Sequence, residues 1–197
     1  MKEFEGFPKI ARLSRECIIT EKIDGTNGQI FIGEDGEFLV GSRTQWITPE
    51  KDNHGFAKWA YEHKEELMQL GKGRHYGEWW GQGIQRGYGL KEKRFSLFNA
   101  IRWCSFDSEP SIISVNEKGE ARLQNVLPAC CGLVPILYRG MFDTEYIDNC
   151  LADLEDTGSV AAPGYMRPEG VVIFHIAGNV GFKKTIEKDE EYKGKVK

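Results

Sequence analysis

The stretch IITEKIDGTNGQIFIG, residues 18–33, decides how the chain is interpreted. Two β-branched runs are separated by the residues Asp-Gly-Thr-Asn-Gly at 24–28, and Asp, Gly and Asn tolerate the positive φ angles of turns. The pattern predicts two strands joined by a tight turn, as in a hairpin. Lys22 lies where the first strand should still bury its side chains, so a turn alone does not explain this lysine.

The composition is that of an ordinary globular protein. A chain of 197 residues can form one domain with a sizeable core, and it is too short for two comfortable ones. It is 40% hydrophobic and 28% charged, which excludes a disordered chain. The formal net charge of −4 excludes a globally basic nucleic-acid binder, but it is compatible with a local basic face.

The cysteines and apolar segments predict an intracellular protein without membrane spans. The five cysteines, at 17, 104, 130, 131 and 150, form no CxxC pair and show no metal-ligand spacing. We therefore expect reduced thiols in the core. The N-terminal segment lacks the apolar region of a signal peptide, and no run of about 18 apolar residues occurs. The expected location is the cytoplasm.

The remaining periodicity predicts more strands than helices. Residues 52–70 have a helical period, with Phe56, Trp59, Ala60, Leu67 and Leu70 on one face and Gly71 as the stop. A second helix is predicted at 143–156, with an Asp cap. Further strands are predicted at 37–45, 74–81, 93–106, 133–140, 169–176 and 179–185. Residues 107–125 are polar and have no assignment, and 186–197 are predicted to form a charged helix or tail. Strands arriving as hairpins indicate an α+β domain with antiparallel sheets.

Several predicted strands carry a charge at an end or inside, namely Lys22, Glu78, Glu169 and Lys183. Each alone fits a solvated strand end. Together, lysines and glutamates beside glycine-rich turns supply a nucleophile, metal-binding carboxylates and room for a phosphate. The glycine-rich stretch GQGIQRG at 81–87 lacks the GxGxxG spacing, and no GxxxxGK[ST] occurs, so neither a Rossmann nor a P-loop site is predicted.

The segment EKIDGTNG, residues 21–28, resembles motif I, KxDG, of the covalent nucleotidyltransferases: ATP-dependent DNA ligases, RNA ligases and mRNA capping enzymes. Five further segments resemble motifs Ia, III, IIIa, IV and V in the family's order: SR at 42–43, YGEWWG at 76–81, RFSLFNAIRW at 94–103, EGVVI at 169–173 and GFKKT at 181–185. The resemblance spans residues 22–185. It implies a single α+β nucleotidyltransferase (ATP-grasp-like) domain over 1–197, with antiparallel sheets and flanking helices.

Asn27 indicates the branch. DNA ligases and capping enzymes usually carry arginine five residues after the lysine, whereas asparagine there resembles the phage RNA ligases and RNA-editing ligases. The resemblance thus implies an ATP-dependent RNA ligase of the RNA-repair type, which seals 5′-phosphate and 3′-hydroxyl ends through a lysine-AMP intermediate. A DNA-nick ligase, a capping-type guanylyltransferase and a non-ligating nucleotide-binding interaction module stay open as alternatives.

The resemblance also implies roles for individual residues. Lys22 would attack the α-phosphate of ATP, with Lys183 as the second catalytic lysine and Glu169 as the ligand of Mg²⁺ or Mn²⁺. An ordinary lysine is almost fully protonated at pH 7, so nearby cations must disfavour its protonated form. Arg43 would hold a phosphate or the ribose, and Glu78 the ribose. The expected nucleotide-binding set is Glu21, Asp24, Gly25, Asn27, Arg43, Glu78, Phe98 and Lys184.

Strand parity refines the expectation for Phe98. On a strand through RFSLFNAI, Phe98 shares a face with the small residues Ser96 and Ala100, which leaves room for a flat base to stack. A core phenylalanine is the alternative.

Parity also separates the motif V lysines. Relatives usually carry two lysines two residues apart, but here Lys183 and Lys184 are adjacent and Thr185 takes the second position. Lys183 should therefore face the pocket, and the part played by Lys184 stays open.

The expected partner is nicked or broken RNA, with DNA or hybrid duplexes as further candidates. No appended oligonucleotide-binding domain is expected, so the catalytic domain's own surface or a protein partner would hold the nucleic acid. Lys9, Arg12 and Arg15 are candidate contacts, although a solvated face explains them equally well. We expect a monomer in the cytoplasm, or in the host cytoplasm if the protein is phage-encoded, and no membrane association.

Overall fold

The computed structural model describes residues 3–7, 9–103, 112–115, 121–123, 127–187 and 189. Its strands are β1 (Glu16–Lys22), β2 (Thr26–Ile32), β3 (Phe38–Gly41), β4 (Trp46–Ile47), β5 (Gly73–Gly81), β6 (Lys93–Leu97), β7 (Ile112–Val115), β8 (Ala121–Leu123), β9 (Cys131–Leu133), β10 (Ile136–Met141), β11 (Gly170–His175) and β12 (Val180–Thr185). Its helices are α1 (Phe56–Glu62), α2 (Lys64–Leu67), α3 (Ala100–Trp103) and α4 (Thr144–Thr157), with a 3₁₀ turn at Met68–Leu70.

The chain divides into two compact units, the first formed by residues 1–22 and 135–197 and the second by residues 23–134. The first unit contains a four-stranded antiparallel sheet in the order β10-β1-β11-β12. Helix α4 belongs to its apolar core, which contains Cys17, Ile19, Ile147, Cys150, Leu151, Leu154, Val171 and Ile173. β1 is flanked by a strand on each edge, and its interior residues, 17–21, are all buried.

Helix α4 forms as its sequence predicts. Asp143 caps the N-terminus, where its side chain accepts a hydrogen bond of 3.0 Å from the backbone N–H of Glu145. The buried residues Ile147, Leu151 and Leu154 recur at helical spacing, so one face of the helix packs into the core.

The second unit contains a six-stranded sheet in the order β4-β3-β2-β5-β6-β9. Its strands pair antiparallel except β6 and β9, which are parallel. The predicted helix at 52–70 forms as α1, α2 and the 3₁₀ turn, and it ends at Gly71, whose φ is 77°. Its apolar face packs in a core cluster that includes Ile30, Phe56, Ala60, Leu67, Leu70, Trp79 and Phe95.

The α+β class with antiparallel-dominated sheets is therefore confirmed, and so is the pairing of β11 with β12. The predicted hairpin at 18–33 is wrong. β1 pairs with β10 and β11, whereas β2 pairs with β3 and β5. The turn residues between them lead the chain from one sheet to the other, because each strand finds its apolar partners in distant segments.

Three predicted strands are shorter than expected. The strand at 37–45 is limited to Phe38–Gly41, and the strand at 93–106 ends at Leu97, before α3. The strand at 133–140 is divided between β9 and β10 at Val134-Pro135, because proline has no N–H to donate to a sheet. Within 107–125, only the backbone of β7 and β8 is described. Most of the predicted C-terminal helix or tail lies outside the described residues.

The described cysteines are free thiols: Cys17, Cys130, Cys131 and Cys150. Burial raises the pKa of each of them, which disfavours the reactive thiolate form. No helix in the described part of the chain is long and apolar enough to span a membrane.

Candidate active site

Lys22 is the last residue of β1, next to Gly170 of the paired strand β11. Its side chain is 23% exposed, and its Nζ atom lies 2.6 Å from Oε2 of Glu169, whose side chain is 12% exposed. Gly170 has a φ of 149°, and a Cβ atom there would collide with the carbonyl oxygen of Lys184. The predicted nucleophile and the predicted metal ligand are therefore in direct contact.

The ion pair has a chemical consequence for Lys22. A lysine attacks only with a free amine, and here the Nζ atom of Lys22 is engaged by the Glu169 carboxylate. A divalent cation bound to Glu169 would compete with the ammonium group for the same oxygen atoms. No group of three or more Asp, Glu, His or Cys residues that could hold a metal occurs among the described residues. One carboxylate suffices for Mg²⁺, which usually completes its shell with water and substrate phosphates.

Lys183 lies on the same face of the sheet as Lys22. It pairs with Val172, which in turn pairs with Thr20, two residues before Lys22. Lys183 is exposed. No carboxylate among the described residues forms an ion pair with it, so its charge is available to an anionic ligand on this face.

Lys184 and Thr185 make other contacts. Lys184 lies on the opposite face, where its Nζ atom is 2.6 Å from Oδ1 of Asp148 in α4. The hydroxyl group of Thr185 donates a hydrogen bond of 2.9 Å to the carbonyl oxygen of Glu187. The backbone N–H of Thr185 donates to Oδ1 of Asp189 at 2.9 Å. Thr185 thus stabilises the end of β12.

Glu21 is almost completely buried, with 1% of its surface exposed, on the face opposite Lys22. Its carboxylate accepts hydrogen bonds from the hydroxyl group of Ser159 at 2.5 Å and from the backbone N–H of Ala161 at 2.8 Å. Burial raises the pKa of Glu21, although these hydrogen bonds and one from the Val160 backbone oppose the shift. The structure thus places Glu21 in a network with the segment after α4.

The motif I turn is held by Glu78 of β5. The backbone N–H of Gly25 donates to Oε1 of Glu78 at 3.1 Å, and Nδ2 of Asn27 donates to Oε2 at 2.9 Å. A Cβ atom at position 25 would lie 2.5 Å from the carbonyl oxygen of Trp79, so only glycine fits there. Glu78 and the branch-indicating Asn27 are therefore direct partners.

The glycine-rich loop after β5 supports the same turn. Nε of Arg86 donates to Oδ2 of Asp24 at 3.1 Å, and the backbone N–H of Asp24 donates to the hydroxyl oxygen of Tyr88 at 2.8 Å. Tyr88 is buried edge-on against Trp80, with ring centroids 5.0 Å apart. The loop therefore fixes the conformation of the residues that follow Lys22.

A cavity of about 570 Å³ opens in the second unit, on residues from β2, β5 and α3 and the segments around them. Three predicted nucleotide-binding residues line it, namely Asn27, Arg43 and Phe98. The other lining residues are Gly28, Gln29, Ser42, Arg74, His75, Tyr76, Leu97, Asn99, Arg102 and Trp103. Three of the thirteen are arginines and none is acidic, so the cavity suits an anionic ligand.

Phe98 reaches this cavity for a different reason from the one the sequence suggested. β6 ends at Leu97 and α3 begins at Ala100, so strand parity does not extend to Phe98 and that argument is wrong. Instead, the backbone N–H of Phe98 donates to the carbonyl oxygen of Tyr76 at 2.9 Å. The ring is 42% exposed, which excludes the alternative of a core phenylalanine.

The positive charge of the cavity comes from its arginines. His75 is buried, and its Nε2 atom lies 2.8 Å from the carbonyl oxygen of Gly71. Burial lowers the pKa of His75; the hydrogen bond to Gly71 opposes this shift, and the charge of Arg102 adds to it. The lowered pKa favours the neutral imidazole of His75.

The first unit brings Lys22, Glu169 and Lys183 to one sheet face, whereas Glu21 and Lys184 lie on the other.

Sequence reasoning missed Arg86, Tyr88 and Ser159, which position predicted site residues. An aromatic residue between two glycines was the available signal for Tyr88. Ser159 gave no signal, because its partner Glu21 is distant in the sequence.

A family model for RNA ligases matches residues 15–186, which is most of the chain. The chain belongs to the RNA ligase family. No curated protein matches it.

This RNA ligase family member resembles solved structures of mutants of Naegleria gruberi RNA ligase. One, with ATP and Mn, gives a TM-score of 0.60 at 20% identity and covers 92% of this chain and 53% of that chain. Another, with AMP and Mn, gives a TM-score of 0.56 at 23% identity, and the match covers 88% of this chain and 50% of that chain. The chain thus spans about half the length of these relatives.

Proposed function

We propose that the chain carries the nucleotidyltransferase activity of an ATP-dependent RNA ligase, which joins 5′-phosphate and 3′-hydroxyl ends through a lysine-AMP intermediate on Lys22. The observation that carries this proposal is the 2.6 Å contact between Lys22 Nζ and Glu169 Oε2 on a half-buried sheet face. A lysine amine beside a carboxylate of the type that binds Mg²⁺ or Mn²⁺ supports the roles of nucleophile and metal ligand for these two residues. The family match and the ATP and Mn in the related structures support the same assignment.

The proposed reaction has three steps. The neutral amine of Lys22 forms a bond to the α-phosphorus of ATP, the bond to the β-phosphate oxygen breaks, and pyrophosphate leaves while the amine proton passes to solvent. An oxygen of the 5′-phosphate of an RNA end then forms a bond to the AMP phosphorus, the P–N bond to Lys22 breaks, and the released amine takes up a proton from solvent. Finally, a 3′-hydroxyl group attacks that phosphate, AMP leaves, and the strand is sealed.

Different residues of the chain would contribute to different parts of this reaction. Glu169 would hold the divalent cation, which supplies positive charge to the phosphoryl oxygens and disfavours protonation of Lys22. Lys183 would contact the triphosphate and stabilise the charge that develops on it. Arg43 and Phe98 would contact the nucleotide, with the Phe98 ring as a stacking surface for the base. Glu78, Arg86 and Tyr88 keep the turn after Lys22 in place.

The first prediction tests the nucleophile. Incubation with α-labelled ATP and Mg²⁺ should give a protein-bound, acid-labile AMP, and both Lys22→Ala and Lys22→Arg should abolish it. The arginine variant fails because its guanidinium group stays protonated. Lys58→Ala, which removes an exposed lysine of α1, is the matched control and should label normally. Wild-type labelling of Lys22→Ala would show that another residue is the nucleophile.

The same preparation distinguishes the substrates. The adenylylated protein is given nicked duplexes of RNA, DNA and RNA–DNA hybrid, and the products are separated on denaturing gels. We expect sealing when the ends are RNA. Sealing of DNA nicks alone would contradict an RNA ligase, and labelling by GTP in place of ATP would indicate a capping-type enzyme. Binding of ATP without covalent labelling would indicate a non-ligating module.

A further inference from the structure

One sheet face of the second unit carries a row of flat side chains next to the cavity. Four residues are paired one after the other across the strands β4, β3, β2 and β5. Trp46 pairs with Gly41, Gly41 pairs with Gln29, and Gln29 pairs with Tyr76. Paired residues lie on the same face of a sheet, so Trp46 and Tyr76 lie on one face, three strands apart. At about 4.8 Å per strand the row spans roughly 14 Å, which is the length of a few stacked nucleotides.

The row is continuous with an aromatic and guanidinium cluster. The Phe31 ring lies 6.2 Å from the Trp46 ring, and the guanidinium carbon of Arg74 lies 4.9 Å from Phe31 and 5.4 Å from Trp46. A Cβ atom at Gly41 would lie 3.1 Å from the Trp46 indole, so glycine lets the indole lie close to the strand. These contacts hold Arg74 between two rings and keep the flat surfaces fixed.

The flat side chains of this surface are accessible to solvent. Trp46 is 44% exposed and Tyr76 51% exposed, and Arg74 is also exposed. Among the described residues no carboxylate forms an ion pair with Arg74. Arg74 and Tyr76 also line the cavity, which contains Arg43 and Arg102 and no acidic residue. In a chain whose net charge is −4, this surface is locally basic.

We propose that Trp46, Phe31, Arg74 and Tyr76 form a stacking surface for unpaired nucleotides of the RNA substrate, which we call the aromatic row. Fixed aromatic rings accept bases without sequence preference, and arginines beside them neutralise the phosphates. An acidic or apolar peptide would not need flat rings at this spacing. The proposal rests on the proposed RNA ligase function, and it adds a substrate-binding surface outside the residues assigned to ATP.

The test measures RNA binding apart from catalysis. A short fluorescein-labelled oligouridylate is titrated with wild-type protein, Trp46→Ala, Trp46→Phe and Tyr146→Ala, without ATP, and fluorescence anisotropy is recorded. Tyr146 in α4 is the matched control, because it is also an aromatic residue with 44% exposure. Loss of one stacking ring should weaken binding by roughly fivefold to a hundredfold in Trp46→Ala. Trp46→Phe should recover part of the affinity, and Tyr146→Ala should bind as wild type does.

Lysine adenylylation by labelled ATP is measured on the same variants, because this step requires no RNA. We expect Trp46→Ala to adenylylate normally while its KM for single-stranded RNA in end joining rises. Equal RNA affinity of Trp46→Ala and Tyr146→Ala would overturn the aromatic row. So would a loss of adenylylation in Trp46→Ala with RNA affinity unchanged, which would assign the surface to the nucleotide. If wild type failed to adenylylate but Trp46→Ala alone lost RNA binding, the ligase proposal would fail and the aromatic row would stand.

Discussion

Alternation along β12 gives two adjacent lysines different surroundings. Lys183 shares a sheet face with Lys22, whereas Lys184 forms an ion pair with Asp148. The side chains of this pair are 43% and 63% exposed, and an ion pair as exposed as this contributes at most about 1 kcal/mol to stability. The two lysines therefore differ in the charge that they can offer to a bound triphosphate.

We predict that Lys183→Ala slows lysine adenylylation and that Lys184→Ala leaves it nearly unchanged. A charge-assisted contact to a phosphate contributes on the order of 1.5–3 kcal/mol, so the rate should fall roughly ten- to a hundredfold in the first variant. Single-turnover labelling with ATP measures both rates, and Lys184→Ala is the matched control. Equal, large losses in the two variants would contradict the assignment of faces.

Glu21 provides a pH-dependent prediction. Burial raises the pKa of this carboxyl group, so the folded state binds its proton more tightly than the unfolded state. Its contribution to stability is then fully present below the ordinary pKa of about 4.5 and is lost as the pH rises through the folded value. The free energy of unfolding of the wild type should therefore fall, relative to that of Glu21→Gln, as the pH rises above 4.5.

Urea denaturation over a pH series measures this difference. Glu16→Gln, which removes an exposed carboxylate paired with Arg139, is the control and should show a much smaller pH-dependent difference. Parallel stability curves for wild type and Glu21→Gln would show that Glu21 does not titrate differently in the folded state.

At the scale of elements, the glycine-rich loop between β5 and β6 acts as a support for the motif I turn. Its chain passes through several residues with positive φ, among them Gly83, Gly87 and Gly89 and also Tyr88 at 52°. This path places the Tyr88 hydroxyl group against the backbone of Asp24. The loop therefore contributes structure to the site, although it lacks the spacing of a phosphate-binding loop.

We predict that Tyr88→Phe destabilises the protein by about 1–3 kcal/mol, because it removes the acceptor of a hydrogen bond in a buried environment. Lysine adenylylation should slow as well, since the residues after Lys22 lose a contact that orients them. Urea unfolding and single-turnover labelling measure the two effects. Tyr61→Phe, at a 37% exposed residue of α1, is the control. Wild-type behaviour of Tyr88→Phe in both assays would refute the supporting role.

At the scale of the whole molecule, charge is unevenly distributed. The net charge is −4, yet Arg43, Arg74 and Arg102 line one cavity without an acidic neighbour in its lining. RNA that binds there releases counterions, and each neutralised phosphate of a single strand contributes about −0.7 to the slope of log K against log salt.

We predict a slope of about −2 for wild-type binding to single-stranded RNA, from three arginines at roughly −0.7 each. Arg74→Gln should reduce its magnitude by about 0.7. Anisotropy titrations at several KCl concentrations measure both slopes. Arg139→Gln is the control, because Arg139 pairs with Glu16 on the first unit. A wild-type slope near zero would contradict an electrostatic contribution from these arginines.

Much of this protein was readable from the sequence alone. The alternation along β11 and β12, the Asp143 cap of α4 and the stop at Gly71 all depend on neighbours within a few residues. The order of six short motifs was sufficient to indicate the family, which the match over residues 15–186 established. Alternation was also sufficient to place Lys183 and Lys184 on opposite faces.

Only the tertiary structure decided which distant segments meet. It separated β1 and β2 into different sheets, ended β6 before Phe98, and gave Glu21 a partner in Ser159. The physical reason is the distance along the chain over which each effect acts. Turn preferences and periodicity depend on neighbours within a few residues. Strand pairing and the burial of a charge depend on surfaces that distant segments supply. The sequence therefore determined most of the elements, and the tertiary structure determined which of the predicted site residues lie within hydrogen-bonding distance of one another.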